Sequence, residues 1–315
     1  MKQFLGRISI FFIPLIFMGL GAELLLRKIP NDYRYKRTYL DSNSNKIKVL
    51  FLGNSHFYYG INPEFITSTA FNAAHISQSL NYDFEILKKY ENKLDSLKYI
   101  VVPVDYFSLF TTLEKSVEAW RVKNYTLYYG INITNNLADH TEILSNNFKT
   151  NALRLYNFYL KHVSNITCTK LGWGTSYNSK NNQDLVFTGK LAAKRHFTKS
   201  QAYFDKNVGI LKSIIEFSLA RNIHLVFITS PAYKTYVQNL NNNQLNQTVN
   251  SVTNLTQHYN NTQYINLLND NTFNEIDFYD ADHLNEIGAK KLTIKIDSLL
   301  TNKDHQISSG ALSPK

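Results

Sequence analysis

The chain has 315 residues, of which 43% are hydrophobic, so it can bury a substantial core and global disorder is excluded. Its 34 Lys and Arg against 24 Asp and Glu give a net charge of +10, but no nucleic-acid-binding motif accompanies this charge, so we expect no nucleic acid partner and regard anionic lipid or polysaccharide as equally suitable. A single cysteine, Cys168, excludes an intrachain disulfide and a cysteine-rich zinc site.

An apolar run near the N-terminus spans residues 8–26 and is interrupted only by Glu23 near its end. Lys2 and Arg7 precede the run, which is about long enough to cross a bilayer as a helix. We therefore predict a membrane anchor over residues 1–28. A cleaved signal peptide is one alternative, although no convincing small-x-small cleavage site precedes the basic residues. A buried core helix is the other.

The segment after the anchor, residues 29–46, is polar and contains Pro30 and a Ser-Asn-Ser-Asn stretch. It predicts a tether to a globular domain over residues 47–300. That domain opens with a short run of apolar, mostly branched residues at 47–52, which is typical of a buried strand, and Gly-Asn-Ser follows as a turn. Ser55, at the end of this strand, should lie at the carboxyl edge of a sheet, where open α/β sheets place their active sites.

An α/β rhythm continues along the domain. Further buried strands are predicted at residues 99–105 and 223–229, with a short last strand at 264–267. Apolar residues at helical spacing follow residue 80 and recur over residues 210–219. The alternation predicts a mainly parallel sheet.

The middle of the chain, residues 106–200, lacks this rhythm and predicts an insertion that forms a lid or a substrate wall. Trp120 and Trp173 within it could be sugar platforms, although core packing is the more common role of tryptophan. At the other end of the domain, the tail over residues 301–315, with its Ser-Ser-Gly, predicts disorder.

Asp280 and His283 lie three residues apart, just before a predicted last helix that Asn285 would cap. A serine hydroxyl is a poor nucleophile that needs a base and a group orienting that base, and a His and Asp pair supplies both. Together with Asp277 and Asp282, the same residues could hold a divalent ion. No second His/Asp cluster of matching spacing completes such a site, so we expect no metal and no cofactor.

Two stretches, Gly53-Asn54-Ser55-His56 and Asp280-x-x-His283, resemble the first and last sequence blocks of the SGNH/GDSL hydrolase superfamily. The resemblance implies that Ser55 is the nucleophile, His283 its base and Asp280 the residue that orients the base. It also implies a three-layer α/β/α sandwich around a mainly parallel sheet. Asn54 stands where the superfamily usually has aspartate.

The two middle blocks of the superfamily are matched less well. Residues 72–77 are similar to the second block, which donates a backbone amide to the oxyanion, but Ala74 and Ser77 replace its usual glycines. A plain strand-to-helix loop is the alternative. The third block is absent, and Asp105 near its position could be protonated, contact substrate or cap a helix. Asn54, Asn72, Ser77 and Asp105 are thus the candidate oxyanion or substrate-binding residues.

The implied chemistry is acyl transfer at an oxygen ester through an acyl-serine. Candidate substrates are a small acyl ester or the O-acetyl groups of envelope or exported polysaccharide. Water as acceptor makes an esterase, and a sugar hydroxyl makes an O-acetyltransferase that could receive its acyl group from a membrane partner. The alternative, favoured by the missing third block, is a non-catalytic, membrane-tethered protein that binds glycan or takes part in assembly.

The charges flanking the anchor conflict with the localisation that the resemblance implies. Five basic residues follow the apolar run at positions 27–37, whereas two precede it, and the positive-inside rule would keep the body cytoplasmic. The resemblance is to anchored proteins of the bacterial envelope, whose bodies commonly face outward. We expect an extracytoplasmic domain, and the conflict stays open.

Overall fold

The computed structural model describes residues 2–308, and the side chains of residues 10–302. They group into two compact units. Unit 1 comprises Met1–Thr38 and Glu114–Thr167, and unit 2 comprises Tyr39–Leu113 and Cys168–Lys315.

The helices and strands follow one another along the whole described chain. The helices are α1 (Lys2–Lys28), α2 (Asp32–Asn43), α3 (Ser55–Gly60), α4 (Leu80–Tyr90), α5 (Val122–Asn124), α6 (Glu142–Ser145), α7 (Phe148–Leu155), α8 (Leu185–His196), α9 (Phe204–Ala220), α10 (Lys234–Val237), α11 (Asn242–Thr256) and α12 (Glu286–Ser308). The strands are β1 (Val49–Phe51), β2 (Ala70–Asn72), β3 (Tyr99–Pro103), β4 (His224–Thr229), β5 (Thr262–Asn266), β6 (Phe278–Asp280) and β7 (His283–Leu284). Single π-helical turns, Tyr125–Tyr129 and Tyr156–Leu160, extend α5 and α7.

Unit 2 is built on a five-stranded sheet in the order β2-β1-β3-β4-β5, and every neighbouring pair of strands is parallel. The predicted α/β class with a mainly parallel sheet is confirmed. In this order the chain reverses direction across the sheet between β1 and β3, and such a switch point opens a crevice at the carboxyl ends of the strands. Strands β6 and β7 form a separate antiparallel pair.

Both faces of the sheet are buried, as the continuous apolar runs of its strands require. On one face Phe51, Val101 and Val226 pack in a core with Phe57 of α3 and Leu292 of α12. The alternate strand residues, among them Leu50, Ile100 and Phe227, are equally buried, and α9 packs against β4 with α4 beside it. Because side chains alternate along a strand, this burial defines three layers.

The turn after β1 depends on a glycine. Gly53 has φ of +110°, a region that side-chain-bearing residues rarely adopt. A Cβ at this position would lie 2.2 Å from the ring of Pro103, at the end of β3. Gly53 therefore lets the chain turn sharply and closely beside β3, which presents Ser55 at the edge of the sheet.

Unit 1 combines α1 and the part of α2 up to Thr38 with the short helices of the middle segment. Within α1, Ile10–Lys28 is long and apolar enough to cross a membrane. Towards the end of this helix, the Glu23 carboxylate accepts hydrogen bonds from the backbone N–H groups of Glu142 and Ile143, at 3.0 Å each, and pairs with Arg27. Glu23 thus caps α6, which satisfies a carboxylate that the sequence placed inside an apolar run.

Three predicted boundaries differ from the structure. The polar stretch expected to be a tether, residues 29–46, contains helix α2, because Tyr33 and Leu40 are buried. The expected insertion, residues 106–200, is divided: only Glu114–Thr167 joins unit 1, while α8 belongs to unit 2. Of the tail predicted to be disordered, residues 301–308 continue α12, and residues 309–315 lie outside the described residues.

Candidate active site

Ser55 is the first residue of α3, directly after the turn that follows β1. Asn54 is the N-cap of this helix, and its side-chain oxygen accepts a hydrogen bond from the backbone N–H of His56 at 2.9 Å. Asp105 follows β3, the neighbouring strand in the sheet. The local sequence therefore places Ser55 and Asp105 on the two sides of the switch point.

Ser55, His283 and Asp280 form one hydrogen-bonded chain. The Ser55 hydroxyl lies 2.9 Å from Nε2 of His283, and Nδ1 of His283 lies 2.9 Å from a carboxylate oxygen of Asp280. A carboxylate only accepts, so Nδ1 of the neutral imidazole carries the proton and Nε2 accepts from the serine. The structure brings together the three residues that the sequence motifs singled out, in the geometry of a nucleophile, a base and an orienting acid.

The carboxylate of Asp280 is held by backbone groups as well as by the imidazole. The same oxygen accepts hydrogen bonds from the backbone N–H of His283 at 2.8 Å and from that of Asp282 at 3.2 Å. Asp280 ends β6 and His283 begins β7, so the tight connection between these strands fixes both residues. Their spacing of three residues is what allows the acid and the base to meet within one turn.

A second imidazole, that of His56, lies beside the first with ring centroids 4.9 Å apart. It is buried between two carboxylates: its Nδ1 is 3.0 Å from Asp105, and its Nε2 is 3.6 Å from Asp282. Asp282 lies 3.7 Å from Nδ1 of His283, farther than Asp280 does, so Asp280 is the direct partner of His283.

His56 and the carboxyls of Asp105 and Asp282 shift one another's pKa values. Burial alone would lower the pKa of His56, but Asp105 and Asp282 outweigh burial and raise that pKa to about 10. Burial would raise the pKa values of these two carboxyls, yet the neighbouring imidazoles hold both below the usual range. His56 is thus an imidazolium at neutral pH, locked between two carboxylates.

Helix α8 brings two further residues to Asp282. The Arg195 guanidinium lies 3.2 Å from the carboxylate, and Nε2 of His196 lies 3.9 Å from it. Burial lowers the pKa of His196 to about 3, so this imidazole is neutral, and its Nδ1 lies 2.9 Å from the hydroxyl of Tyr236. Asp282 therefore has an exposed cation on one side and the buried His56 on the other.

Ser77 lies in a β-turn, since Gln78 N–H donates to the carbonyl of His75 at 3.2 Å, and its φ is +58°. The chain adopts at Ser77 the left-handed conformation that would explain a glycine there. Within the described residues, neither the backbone N–H of Ser77 nor that of Ser55 donates a hydrogen bond to the protein. Both amides are available to a ligand.

The loop that carries Ser77 is fastened to the turn that carries Ser55. His75 N–H donates to the carbonyl of Gly53 at 3.0 Å. Asp83, a buried residue of α4, accepts from the backbone N–H of Gly53 at 2.7 Å and from the side chain of Gln78 at 2.6 Å. Burial raises the pKa of Asp83 to about 7, against the effect of these two hydrogen bonds.

The structure gives Asn72 a different task from the expected one. Its side chain is fully buried, and the amide donates to the carbonyls of Phe57 and Ile61 at 2.8 and 2.9 Å, while its oxygen accepts from the N–H of Ala74. With both amide hydrogens and the oxygen in use, Asn72 is not a substrate contact. It joins the end of β2 to α3 and so supports the serine turn.

Asn54 and Asp105 also contact each other. The Asn54 amide donates to Asp105 at 2.9 Å, and the other carboxylate oxygen of Asp105 accepts from the backbone N–H of Ser230 at 2.9 Å. Of the three options for Asp105, protonation is ruled out because its pKa is held below the usual range, and the carboxylate partners His56 rather than capping a helix. Both residues are buried and position the site.

A stack of three tyrosines lies against the imidazole of His283. Tyr59 and Tyr177 stack with centroids 3.7 Å apart, and Tyr177 and Tyr279 stack at 3.9 Å. His283 meets the rings of Tyr59 and Tyr177 edge to face, at 6.1 and 5.3 Å. Tyr177 comes from the segment predicted to be an insertion, and Tyr279 comes from β6, so the stack joins that segment to the strand that carries Asp280.

The two tryptophans differ in exposure. Trp173 is half-buried and its indole N–H donates to the carbonyl of Tyr59 at 2.6 Å, so it supports the tyrosine stack. Trp120 belongs to unit 1 and is 41% exposed, with the Arg121 guanidinium over its ring. Trp173 makes no described contact with Ser55 or His283.

Three residues could offer ligand atoms to a metal ion: His56, Asp282 and His283, whose candidate atoms lie within 4.8 Å of one another. In the described structure these imidazoles are already engaged: His283 by Ser55 and Asp280, and His56 between Asp105 and Asp282. Asp277, the other acid of the predicted cluster, caps the turn at Asn274 and pairs with Lys291. The residues present suit an ion-pair network better than a metal.

Sequence reasoning missed the partners of Asp282 and the tyrosine stack. His56 was part of the serine motif but had no assigned role, although a histidine next to the nucleophile of a buried turn is a usable signal. Arg195, His196 and Tyr177 carried no signal, because they lie in a segment without a strand–helix rhythm. Only the fold brings them to Asp282 and His283.

No protein-family model matches this chain, and no curated protein matches it. Among solved structures, the chain is similar to a proposed acylhydrolase from Bacteroides fragilis NCTC 9343, with a TM-score of 0.42 and 12% identity over 84% of this chain and 95% of that one. It is also similar to a proposed platelet activating factor from Streptococcus pneumonia, with a TM-score of 0.42 and 11% identity over 91% and 98% of the two chains. Likeness this distant carries no argument about activity, so the chemistry of the site has to decide.

Proposed function

We propose that this protein is a serine acyltransferase or esterase that acts on oxygen esters. The observation that carries the proposal is the hydrogen-bonded chain from the Ser55 hydroxyl through His283 to Asp280, with 2.9 Å at both links. Serine becomes nucleophilic when a base takes its proton and an acid orients that base, and this chain supplies both.

In the first half of the reaction, Nε2 of His283 takes the proton from Ser55 as the serine oxygen attacks the acyl carbonyl carbon. The free backbone N–H groups of Ser55 and Ser77 are the candidate donors to the developing oxyanion. Collapse of the tetrahedral intermediate breaks the ester bond, and the alcohol leaves with the proton from His283. The product is an acyl-serine, and Asp280 stabilises the imidazolium while it exists.

In the second half, His283 takes a proton from the acceptor, which is water or a sugar hydroxyl. The acceptor oxygen attacks the acyl-serine, and Ser55 leaves with the proton returned by His283. Water yields a free acid and regenerates the enzyme, whereas a sugar hydroxyl yields a new ester. The same three residues therefore serve an esterase and an O-acetyltransferase.

The proposed substrates are O-acetyl groups of envelope or exported polysaccharide. Two features support a glycan: the half-buried Tyr279 at the end of the tyrosine stack, since aromatic rings pack against sugar faces, and the net charge of +10, which suits anionic polymers. The apolar helix α1 supports a membrane-anchored protein. An extracytoplasmic body is part of the proposal, as is a membrane partner that donates the acyl group.

The test presents a small activated acetyl ester to the detergent-solubilised full chain, with and without a polysaccharide acceptor. Released acetate and acetyl groups transferred to the glycan are measured separately. The proposal predicts turnover in at least one arm and its loss in Ser55→Ala. A wild-type protein that shows turnover in neither arm, yet binds polysaccharide as well as Ser55→Ala does, would contradict the proposed enzymatic activity. It would support a non-catalytic glycan-binding protein.

A further inference from the structure

Helix α7 and the π-helical turn after it, residues 148–160, expose apolar side chains. Phe148 is 88% exposed, Leu153 54%, Tyr156 46% and Leu160 70%. Soluble helices usually turn such residues towards the core and polar residues towards water. With Tyr159, which is 36% exposed, five of these thirteen residues are large exposed hydrophobics, and exposed apolar surface of this kind marks an interaction site.

The inward side of the same helix is polar. Asn151 is buried and its amide donates to the carbonyl of Glu142 at 3.3 Å. Arg154 lies 2.6 Å from the Glu142 carboxylate, which is fully buried and also pairs with the buried Lys123 at 2.7 Å. Asn151 and Arg154 therefore face the interior of unit 1 while the large apolar side chains named above face outward, the reverse of the usual pattern in a soluble domain.

This inverted helix, residues 148–160, contacts the candidate membrane helix α1. The Tyr159 hydroxyl donates to the carbonyl of Leu25 at 3.0 Å, so the end of the inverted helix contacts the last part of α1. Glu23, two residues earlier in α1, caps α6, where Leu144 is 66% exposed. The exposed apolar residues therefore begin beside the C-terminal end of α1, where its apolar run ends.

We propose that the apolar side of residues 148–160 lies in the surface of the lipid bilayer, as an interfacial helix beside the end of the membrane-spanning α1. The proposal rests on α1 being the membrane anchor and is independent of the acyl chemistry. Lys149 and Lys161 are exposed near the two ends of this helix. Their stems can lie along apolar surface while the ammonium groups reach anionic headgroups.

The exposed residues of α1 next to this surface indicate that lipid, rather than a second protein, covers it. The helix contacts α1 through the hydrogen bond from Tyr159 to the carbonyl of Leu25, and Leu24 and Leu25 are themselves 62% and 44% exposed, so a bilayer around α1 would cover them in any case. A bilayer that covers α1 as far as Leu25 also reaches residues 148–160. A protein partner on this surface would have to displace lipid from α1 and from residues 148–160. Interfacial helices of this type bury their apolar face ~5–10 Å into the headgroup region.

The test uses tryptophan as a depth probe in the full chain, reconstituted in vesicles of phosphatidylethanolamine and phosphatidylglycerol. Phe148→Trp and Leu160→Trp are compared with Phe187→Trp, which replaces a phenylalanine of unit 2 that is 65% exposed. Emission of the wild-type chain is subtracted, and phosphatidylcholine brominated in its acyl chains is the quencher. At the depth of an interfacial helix we expect quenching of the added emission by roughly half or more at both α7-side positions, and little at Phe187.

Several outcomes would overturn the proposal. One is emission at both α7-side positions that stays quenchable from water and insensitive to the brominated lipid. Another is blue-shifted emission that the lipid does not quench, which would show a second copy of the chain covering the surface. Equal lipid quenching at Phe187 would show general proximity to the membrane instead of a specific helix. The two replacement sites are independent, so misfolding of one variant, detected from its thermal midpoint, leaves the other as the test.

Discussion

Two histidines of unit 2, His56 and His283, have opposite surroundings although their ring centroids lie only 4.9 Å apart. His283 faces a serine hydroxyl on one side and one directly bonded carboxylate, Asp280, on the other. His56 faces a carboxylate on each side, Asp105 and Asp282, and is fully enclosed. The residue types are the same, and the neighbours decide what each imidazole can do.

The comparison shows that a base needs a free lone pair more than it needs acidic neighbours. Two carboxylates raise the pKa of His56 to about 10, so it holds its proton and cannot accept another. One carboxylate and one hydroxyl leave Nε2 of His283 aimed at the proton it must remove. We infer that His283 performs the chemistry, and that His56 neutralises the buried acids and positions the elements around it.

The largest expected effect comes from removing the nucleophile or its base. Ser55→Ala and His283→Gln should each lower kcat for a small activated ester by up to about 10⁶-fold, since the members of such a triad act as a unit. Initial rates measure the loss. Ser68→Ala, at a half-buried serine outside the site, is the matched control and should keep its rate. A Ser55→Ala variant with wild-type kcat would assign the nucleophile elsewhere.

Asp280→Asn should follow, with a loss in kcat of up to about 10⁴-fold, because the neutral amide no longer stabilises the imidazolium that forms on His283 during the reaction. The thermal midpoint should change little, since the asparagine side-chain oxygen can still accept from the backbone N–H groups that hold Asp280. A wild-type rate in this variant would mean that Asp282, at 3.7 Å, orients the base instead.

His56→Gln should act on stability. Removing the imidazolium leaves Asp105 and Asp282 buried without their shared cation, which should cost about 3–5 kcal/mol in the free energy of unfolding. Urea unfolding of the solubilised chain measures it. His258→Gln, at an exposed histidine, is the control and should stay within about 0.5 kcal/mol of wild type. A loss below that limit in His56→Gln would show that the ion pairs contribute nothing net.

The proton on His56 should also affect how the free energy of unfolding depends on pH. The folded pKa of His56 is about 10 and its ordinary value is 6.5, so the folded chain keeps a proton that the unfolded chain releases between these values. This contribution is fully present below pH 6.5 and is lost as pH rises through 10. Between pH 7 and 9 unfolding free energy should fall by up to about 1.4 kcal/mol per pH unit. His56→Gln should flatten that limb, and an unchanged slope would contradict the imidazolium.

The smallest effect concerns the tyrosine stack. Tyr279→Ala should raise KM for an acetylated polysaccharide by several-fold, since one aromatic contact contributes about 1 kcal/mol, and should leave kcat for a small ester nearly unchanged. Steady-state kinetics on both substrates separate the two. Equal effects on both would place Tyr279 in the support of His283 and not in glycan binding.

The parts of this site that sequence could predict are those in short local motifs at the ends of strands. Ser55 follows β1, and Asp280 and His283 lie three residues apart around one tight connection, so local spacing determines them. The network around Asp282 draws Arg195 and His196 from a helix distant in sequence. Pattern reasoning cannot supply such contacts, because nothing local to α8 signals a buried carboxylate.

The middle segment and the expected tether show a further limit of predicting structure from sequence. Polar composition suggested a tether at residues 29–46, but Tyr33 and Tyr125 pack edge to face within unit 1 and hold α2 as a helix. Likewise, the missing strand–helix rhythm over residues 106–200 predicted only an insertion. Where a segment turns its charges inward to Glu142, the usual inference from polarity to exposure fails.

The most direct test of the central claim follows the acyl group itself. The full chain is mixed with a small activated acetyl ester, quenched with acid at successive times, and analysed by peptide mass spectrometry. The account predicts one acetyl group on the peptide that contains Ser55, formed at least as fast as turnover and absent from Ser55→Ala and His283→Gln. Turnover without acetylation of Ser55, or an acetyl group on another residue that forms as fast as turnover, would contradict the acyl-serine mechanism.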